Sequence, residues 1–571
     1  MLIRPIRPWI RGDWFSPFLR INGSPFSMNR PFRPRPGVRA QQKHCNCMKP
    51  CIYSGRCEVP TPLPKGWTMS LLKNGLVDIH HLSTQDMLEI LKLAGRLKDA
   101  LARRDVPGYQ LAAGSDRLVA QLFYESSTRT RASFEIAALR LGCRVTGFGS
   151  TEGSSVSKGE SLSHTIDMFD AYACDAIVLR HPLDGSALWA SERTSVPVFN
   201  AGDGKRQHPT QTILDLFTIL EHHGRLENLN IVFSGDLKYG RTTHTLALAL
   251  SQFAGNTFHF CSPSNLSMPR AITELVRGRG VKVIESENMK DGLETADIFY
   301  QTRIQRERMP DQNEFDKAKK AGAFTLAMME RTRPGFGLMH PLPIDKRIPG
   351  IMPELDAHPK ALYKTQAGNG VPTRMAELAL AMRLVELPVS GRPVHLPAGG
   401  QDDFCRRLEI HEKPPREGVS IRPIRDRGVV VDHLQPHTES LLALLLRVKD
   451  RRDVYRAGCV RSVARPDHVK GILMIEDRVL TTDELRLVAT VSPGARVNRI
   501  ENGRVVEKYE LDLPAVISGV ESLMCPNSGC ITRPEHQEHV SCCFEKLDAH
   551  TLRCKYCDHI LDAGELFAHL Y

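Results

Sequence analysis

Residues able to do chemistry recur in this 571-residue chain at one kind of place, where an apolar run ends and a helical run begins. The stretch LVAQLFYESSTRTRASFEIAAL, positions 118–139, passes through Ser127, Thr128, Arg129 and Thr130 on its way from one to the other. Free backbone N–H groups at a helix start favour an anion, and arginine adds charged, forked donors. The four residues therefore read as a phosphate cradle. The plainer reading is a hydroxyl helix cap followed by surface arginines. Other loops repeat the pattern: GSSVSKGES offers Ser154, Ser155 and Lys158, VLRHP offers Arg180 and His181, and AGDGKRQHPTQ offers His208 and Gln211. SGDLKYGRT adds Arg241, YQTRIQRER adds Arg303 and Gln305, and MHPLP at 339–343 is a stiff polar turn. Each alone suits a solvated surface. Together they place many donors at strand ends with almost no acids beside them, a set suited to a substrate carrying several negative charges. No Walker-type lysine loop or full dinucleotide fingerprint occurs, and GRGVKV is a weak glycine signal.

The elements that must position these residues alternate between positions 70 and 385. DAIVLRHP, SVPVFNAGDG, LNIVFSGDL, VKVIES and ADIFYQTR read as strands, and TQTILDLFTILEHH, RTTHTLALALSQFAG and MPRAITELVRGRG as helices. This alternation predicts two mostly parallel-sheet α/β domains, at 70–215 and 216–386, with ligands at the strand ends. A Pro/Gly/charge linker is expected over 387–416. An α+β domain follows at 417–512, with VVVDHL, GILMIEDR and VVEKYELDL as strands and TESLLALLLRV and TTDELRLVATV as helices. The last segment, 518–571, is a small cysteine-rich module.

Composition narrows the class. The net charge is +11, but residues 1–60 hold 11 Arg/Lys against only Asp13 and Glu58, so the remainder is nearly neutral. That removes most of the case for a nucleic-acid surface. No run approaches the length of a membrane span. Residues 1–66 are basic and Pro/Arg-rich and read as irregular. They suit a targeting segment, an interaction tail or, the leading reading, translation from a start earlier than Met69. Cys45, Cys47, Cys51 and Cys57 lie there without a histidine pattern that makes a metal site compelling. The other cysteines favour a reduced, cytoplasmic chain with local metal chemistry. Cys525-x4-Cys530 and Cys554-x2-Cys557 provide four thiolates, the soft tetrahedral set zinc prefers. A fifty-residue module buries little core, so a structural zinc would supply folding energy. Cys542 and Cys543 look spare.

The motifs ESSTRTRASFE, SVSKGES, LRHP, GDGKRQHPTQTILDLFTI, GDLKYGRT, TRIQRER and HPLP, in this order over roughly 70–386, closely resemble aspartate carbamoyltransferase catalytic chains. The resemblance implies a carbamoyl phosphate domain followed by an aspartate domain. It assigns Ser127, Thr128, Arg129 and Thr130 to the phosphate turn, Arg180 and His208 to the phosphate and carbonyl oxygens, and Gln211 to the carbamoyl amine. Ser154 and Lys158 match a loop that reaches a neighbouring subunit's site. Arg241, Arg303 and Gln305, with Lys158 and Leu342, match the aspartate set; Pro341 and Leu342 lie in a turn whose carbonyls meet substrate nitrogens. Arg129, Thr130, Lys158, Arg180 and His208 would carry the catalysis, with no metal required. The alternatives are an ornithine-specific relative, which characteristically has cysteine in the HPLP turn and lacks the Lys158 loop, and a non-catalytic scaffold.

VVVDHL, ARVNRIENGRVVEKY, LMCPNSGCI and LRCKYCDHI similarly resemble the regulatory chain of that enzyme over 417–571. The chain thus looks like a catalytic–regulatory fusion, and the implied assembly is six chains, two catalytic trimers bridged by paired regulatory domains. Asp432, Asn498 and Lys508 match nucleotide contacts, whereas Met474 and Gly503 replace a lysine and a tyrosine. Losing a cation weakens a triphosphate site, so weak or absent CTP and ATP control is expected.

Overall fold

The computed structural model describes residues 72, 74–104, 116–309, 312–318, 322–385, 404–410, 423–461, 467, 469–520 and 523–570. The 1–66 extension with its four cysteines, Met69 and most of the expected linker lie outside the described residues.

The first alternation of apolar runs and helices builds β1 (Gly75–Leu76), α1 (Thr84–Arg103), β2 (Leu118–Phe123), α2 (Thr128–Arg140), β3 (Arg144–Phe148), α3 (Leu162–Ala171), β4 (Ala176–His181), α4 (Ser186–Arg193), β5 (Val198–Asp203) and α5 (Pro209–His223). The strands form one parallel sheet in the order β1-β5-β4-β2-β3. Five of the six residues of β2 are buried, as expected of a strand covered by helices on both faces. The chain leaves β2 towards β3 and returns to β4 on the other side, so a crevice opens at the carboxyl ends of β2 and β4.

The second alternation repeats the device. It comprises β6 (Asn230–Ser234), α6 (Arg241–Leu250), β7 (Thr257–Cys261), α7 (Arg270–Gly278), β8 (Lys282–Ser286), β9 (Ile298–Gln301), α8 (Gln312–Ala318), α9 (Leu326–Glu330), β10 (Gly337–Met339) and α10 (Tyr363–Ala381). The parallel order is β10-β9-β6-β7-β8, which puts its switch point between β6 and β9. Helix α10 packs back on α1, α2 and α5. Its Met375 and Leu378 share one core with Phe134 and Phe199 of the first sheet's layers and Phe233 of the second. Each fully buried phenylalanine contributes about 1.5–3 kcal/mol, so the two crevices are held in a defined relation by apolar packing.

The third sheet is antiparallel, in the order β11-β16-β15-β12-β14-β13. Its strands are β11 (Cys405–Arg407), β12 (Gly428–Leu434), β13 (Tyr455–Arg461), β14 (Val469–Glu476), β15 (Arg496–Glu501) and β16 (Arg504–Leu511), with α11 (Glu439–Leu445) and α12 (Thr482–Val491). Thr481 and Glu484 form a reciprocal capping box at the start of α12. Two features depart from the sequence reading. The expected linker contains β11, which pairs with β16 while Phe404 enters the core and Arg406 pairs with Glu510. Neither the edge strand β13 nor the inner strand β15 was anticipated: edge strands need little apolar patterning, and RVNRIE mixes charged and polar residues with only two apolar ones.

The fourth sheet is β17 (Val516–Ser518), β18 (Cys543–Lys546), β19 (Thr551–Cys554) and β20 (Ile560–Asp562), antiparallel and in chain order. This module sits against the first sheet's domain. The Asp184 backbone N–H donates to Gly529 O at 2.8 Å, and the Asp184 carboxylate accepts from Asn527 Nδ2 at 2.8 Å. Arg206 Nε donates to Asp558 at 2.7 Å, and the Leu162 N–H donates to Glu538 at 2.7 Å. Gly185, at φ +85°, lets the Tyr556 backbone approach: a Cβ there would fall 2.5 Å from Tyr556 O. No described helix is long and apolar enough to cross a membrane.

Candidate active site

The two switch points face one cavity of about 400 Å³. From the first sheet, Ser127 at the N-cap of α2 and Thr128, Arg129 and Thr130 in its first turn line it, with Arg180 from β4. His208 and Gln211 reach it from the start of α5. From the second sheet come Arg241 at the start of α6, Arg303 and Gln305 just after β9, and Leu342 beyond β10. Ser127 makes no side-chain capping bond. The first turn of α2 thus keeps donors available, and the plain helix-cap reading of this residue does not hold.

The electrostatics are those of a desolvated cationic chamber. Burial lowers the guanidinium pKa of Arg180 and of Arg241, and neighbouring arginines lower both further. Burial also lowers that of Arg129, with Arg303 adding to the effect. Such a chamber relaxes when an anion enters. His208 is 4% exposed, and burial followed by Arg241, Arg180 and Arg374 holds its pKa well below 6.5. Its imidazole is therefore neutral at pH 7. Thr210 Oγ1 lies 3.3 Å from Nδ1. When that hydroxyl donates, the ring proton sits on Nε2, a donor for a ligand oxygen.

Gln211 is held in place from behind. Its Nε2 donates to Asp215 Oδ1 at 2.9 Å, while Gln366 Nε2 and Tyr300 OH donate to the same carboxylate, each at 2.7 Å. Burial raises the Asp215 pKa to about 7. The HPLP turn carries a cis Leu342–Pro343 bond and Leu342 at φ 56°. The His340 N–H donates to Gln366 Oε1 at 2.9 Å, tying the turn to α10.

One expectation needs correction. Acids are not absent from the donors' surroundings. Glu125 lies 3.4 Å from Arg180, 3.5 Å from Arg241 and 3.8 Å from Arg308, bridging arginines from both sheets. The sequence distance between Glu125 and Arg308 hid this meeting. Arg374 also lines the cavity and was not singled out. Its signal was a charged residue in the Ala/Leu-rich run PTRMAELALA of α10, where Glu377 follows it; it is 3% exposed and bonds the Ser133 hydroxyl.

Ser154 and Lys158 stand apart. They lie at a 3-10 turn, Ser155–Lys158, and do not line the cavity of their own chain. Lys158 is exposed and has no hydrogen bond or ion pair among the described residues.

The second-half sites divide. Cys525, Cys530, Cys554 and Cys557 are all buried, with their sulfurs within 4.8 Å of one another. The Cys525–Cys557 and Cys530–Cys554 separations are 3.5 and 3.8 Å. Zinc–thiolate bonds of about 2.3 Å in a tetrahedron require sulfur separations of about 3.8 Å, so the cage fits zinc. All four positions are protein thiolates, as in a structural site. Cys542 lies outside the cage and contacts Thr532. The effector-like Asp432, Asn498 and Lys508 lie on adjacent strands β12, β15 and β16. Asp432 is already paired with Lys470 at 2.7 Å, and Met474 is buried with Ile424 and Ile500.

Comparison with known proteins gives a match to each region. Residues 74–221 match the aspartate/ornithine carbamoyltransferase carbamoyl-P binding domain, and 227–381 the Asp/Orn binding domain. Residues 419–512 match the aspartate carbamoyltransferase regulatory chain allosteric domain, and 515–566 its metal binding domain. The aspartate carbamoyltransferase catalytic subunit of Thermococcus onnurineus is 44% identical over 307 residues, covering 54% of this chain and 96% of the relative. That of Methanosarcina mazei is 44% identical over 315 residues, covering 55% and 99%. Among solved structures, aspartate transcarbamoylase from Trypanosoma cruzi in complex with N-(phosphonacetyl)-L-aspartic acid is 30% identical, with a TM-score of 0.51, covering 55% of this chain and 97% of that one.

Proposed function

The chain belongs to the aspartate carbamoyltransferase family, with catalytic and regulatory parts in one polypeptide, and from that premise we propose that it transfers the carbamoyl group of carbamoyl phosphate to L-aspartate. The observation that carries the proposal is the convergence of Arg129, Arg180 and His208 from one sheet's layer with Arg241, Arg303 and Gln305 from the other on a single cavity. Two anions that repel each other in water are thereby held side by side, and positioning supplies much of the rate.

In this reading, the neutral amine of aspartate attacks the carbamoyl carbon. A C–N bond forms, the C–O bond to phosphate breaks, and the departing phosphate takes the amine proton. Negative charge grows on the carbamoyl oxygen and is met by His208 Nε2–H, Arg180 and the Thr130 hydroxyl. Arg129 and the first turn of α2 hold the phosphate. Gln211 is oriented by Asp215 towards the carbamoyl amine. Arg241, Arg303 and Gln305 read the two carboxylates of aspartate. An ornithine side chain would bring an ammonium against Arg303, which argues for the dicarboxylate. Purified protein should form N-carbamoyl-L-aspartate and leave ornithine unreacted; turnover of ornithine alone would reverse the assignment. The zinc cage stabilises the C-terminal module and takes no part in the reaction.

Lys158 completes a neighbouring chain's site in this reading, supported by its exposure and its lack of side-chain partners among the described residues. Arg129→Ala and Lys158→Ala proteins should each be nearly inactive. Mixed after dissociation, they should regain activity that neither parent shows, because some sites then draw both native residues from different chains. If the mixture stays as inactive as its parents, the shared site is refuted. The proposed assembly is a pair of trimers, six chains in all, in a cytoplasmic enzyme.

Control by CTP or ATP is proposed to be weak. Lys470 occupies Asp432, and a buried methionine stands where a phosphate-binding cation is needed. Titrating CTP up to about millimolar should change the initial rate less than about twofold, since a lost charge-assisted contact of about 1.5–3 kcal/mol weakens binding by about 10- to 150-fold. A strong saturable effect below millimolar CTP would contradict this.

A further inference from the structure

We propose that the antiparallel domain carries a second transition-metal site, separate from the four-cysteine cage, in which His437, Glu439 and Cys459 bind a zinc-class divalent cation. The three residues come from the turn after β12, the first residue of α11 and the edge strand β13. One ligand atom from each lies within 4.8 Å of the others. Cys459 Sγ is 3.9 Å from His437 Nδ1 and 3.4 Å from Glu439 Oε1. Bonds of about 2.3 Å to sulfur and about 2.0–2.2 Å to nitrogen and oxygen set tetrahedral edges of about 3.3–3.7 Å, so small side-chain rotations close the triangle on an ion.

Two further observations point to a ligand. Glu439 is only 7% exposed, yet its Oε2 has no hydrogen-bond partner among the described residues. A buried carboxylate oxygen left unpaired is costly and calls for a cation. The neighbouring strand also makes room for it. Gly471 pairs directly with Cys459 across β14 and β13, and a Cβ at Gly471 would lie 2.7 Å from Glu439 Oε2. Any other residue there would press on the carboxylate.

His437 and Cys459 are exposed, so an ion can enter from solvent. One sulfur, one imidazole nitrogen and one carboxylate favour zinc, cobalt or cadmium over magnesium or calcium. Three protein ligands leave a fourth position open. None of the three is an effector-like residue. A bound ion would tie the edge strand β13 to the turn that opens α11.

The test uses the full chain with its cage zinc in place. Iodoacetamide labelling of Cys459 is followed by peptide mass mapping, with and without added ZnCl2. In the wild type, zinc should slow labelling of Cys459 by about tenfold or more, because coordination removes the reactive thiolate. MgCl2 should not. His437→Ala, an exposed change that leaves the core untouched, should abolish the protection, as should Glu439→Gln. Cys459→Ser should bind one fewer zinc per chain than the wild type. Equal labelling with and without zinc would overturn the proposal and leave a simple thiol–carboxylate hydrogen bond. Protection that survives in both variants, or unchanged zinc content in Cys459→Ser, would overturn it equally.

Discussion

Replacing His208 with alanine should lower kcat by about two to three orders of magnitude, the usual loss when one donor to a developing oxyanion is removed from a dry site. The residue is suited to that role by its surroundings. Burial and three arginines hold the ring neutral, and when the Thr210 hydroxyl donates to Nδ1 the ring proton sits on Nε2, where the proposed role needs it. A charged imidazolium would instead repel Arg180 and Arg241. The backbone at this point is secured by the His208 N–H bond to Thr245 Oγ1 at 3.1 Å and by Pro209 at the start of α5, so the variant should keep its fold. His208→Asn should retain more activity than His208→Ala, because a donor remains.

The sign of the pH effect follows from the same environment. A lowered pKa means that the ring stays unprotonated as pH falls through 6.5, where a solvent-exposed histidine would charge. NMR of ring-labelled protein should show His208 resonances unchanged across that range. The rate should carry no inflection from this group there. A full loss of kcat below pH 6.5 that disappears in His208→Asn would show that the ring titrates normally, and the donor role would fall with it.

Cys554→Ser should release the zinc and unfold the module from β17 to β20. Structural zinc sites contribute about 10–16 kcal/mol of apparent binding energy at neutral pH. The module's own apolar core, centred on Phe544, Leu552 and Leu561, is small and should not hold the fold without the metal. Metal analysis should find one fewer zinc per chain, and limited proteolysis should cut within 516–562 while sparing the parallel-sheet domains. Retention of zinc or of protease resistance would refute the four-thiolate cage as the source of the module's fold.

The same variant should weaken carbamoyl phosphate binding at a distance. Asp558, next to the ligand Cys557, bonds Arg206, which is 7% exposed and also pairs with Asp78 and Asp203. Arg206 stands two residues before His208, and Asp184 joins Asn527 to the same loop through Lys205 N–H at 2.7 Å. With the module unfolded, that loop loses partners on one side. KM for carbamoyl phosphate should rise more than kcat falls, since the cationic set itself remains. Unchanged KM in the zinc-free protein would show the docking face to be mechanically silent.

Much was legible in the chain as written, because it depends on local rules. Helix starts at Thr128, Pro209 and Arg241, short apolar runs such as NIVFS, and the spacing of Cys525, Cys530, Cys554 and Cys557 each follow from a few neighbouring residues. Two parallel-sheet domains, an α+β domain and a thiolate cage are therefore legible in the sequence alone. β11 and β13 escaped because edge strands carry a weak pattern, and their pairing with β16 and β14 supplies what their own residues do not.

Which residues meet was decided only by the fold. The strand orders create two switch points, and α10 packs back on α1, α2 and α5 in one core, so the crevices close on a single cavity. Glu125 comes to bridge Arg180, Arg241 and Arg308, Arg374 enters from the buried second half of α10, and Glu439 finds Cys459 beneath Gly471. These contacts join residues tens to hundreds of positions apart. The sequence determines which side chains can donate, ligate or pack, through their chemistry and local spacing. Only the burial of apolar surface between distant elements determines which charges share a dry cavity, and hence which of them act together.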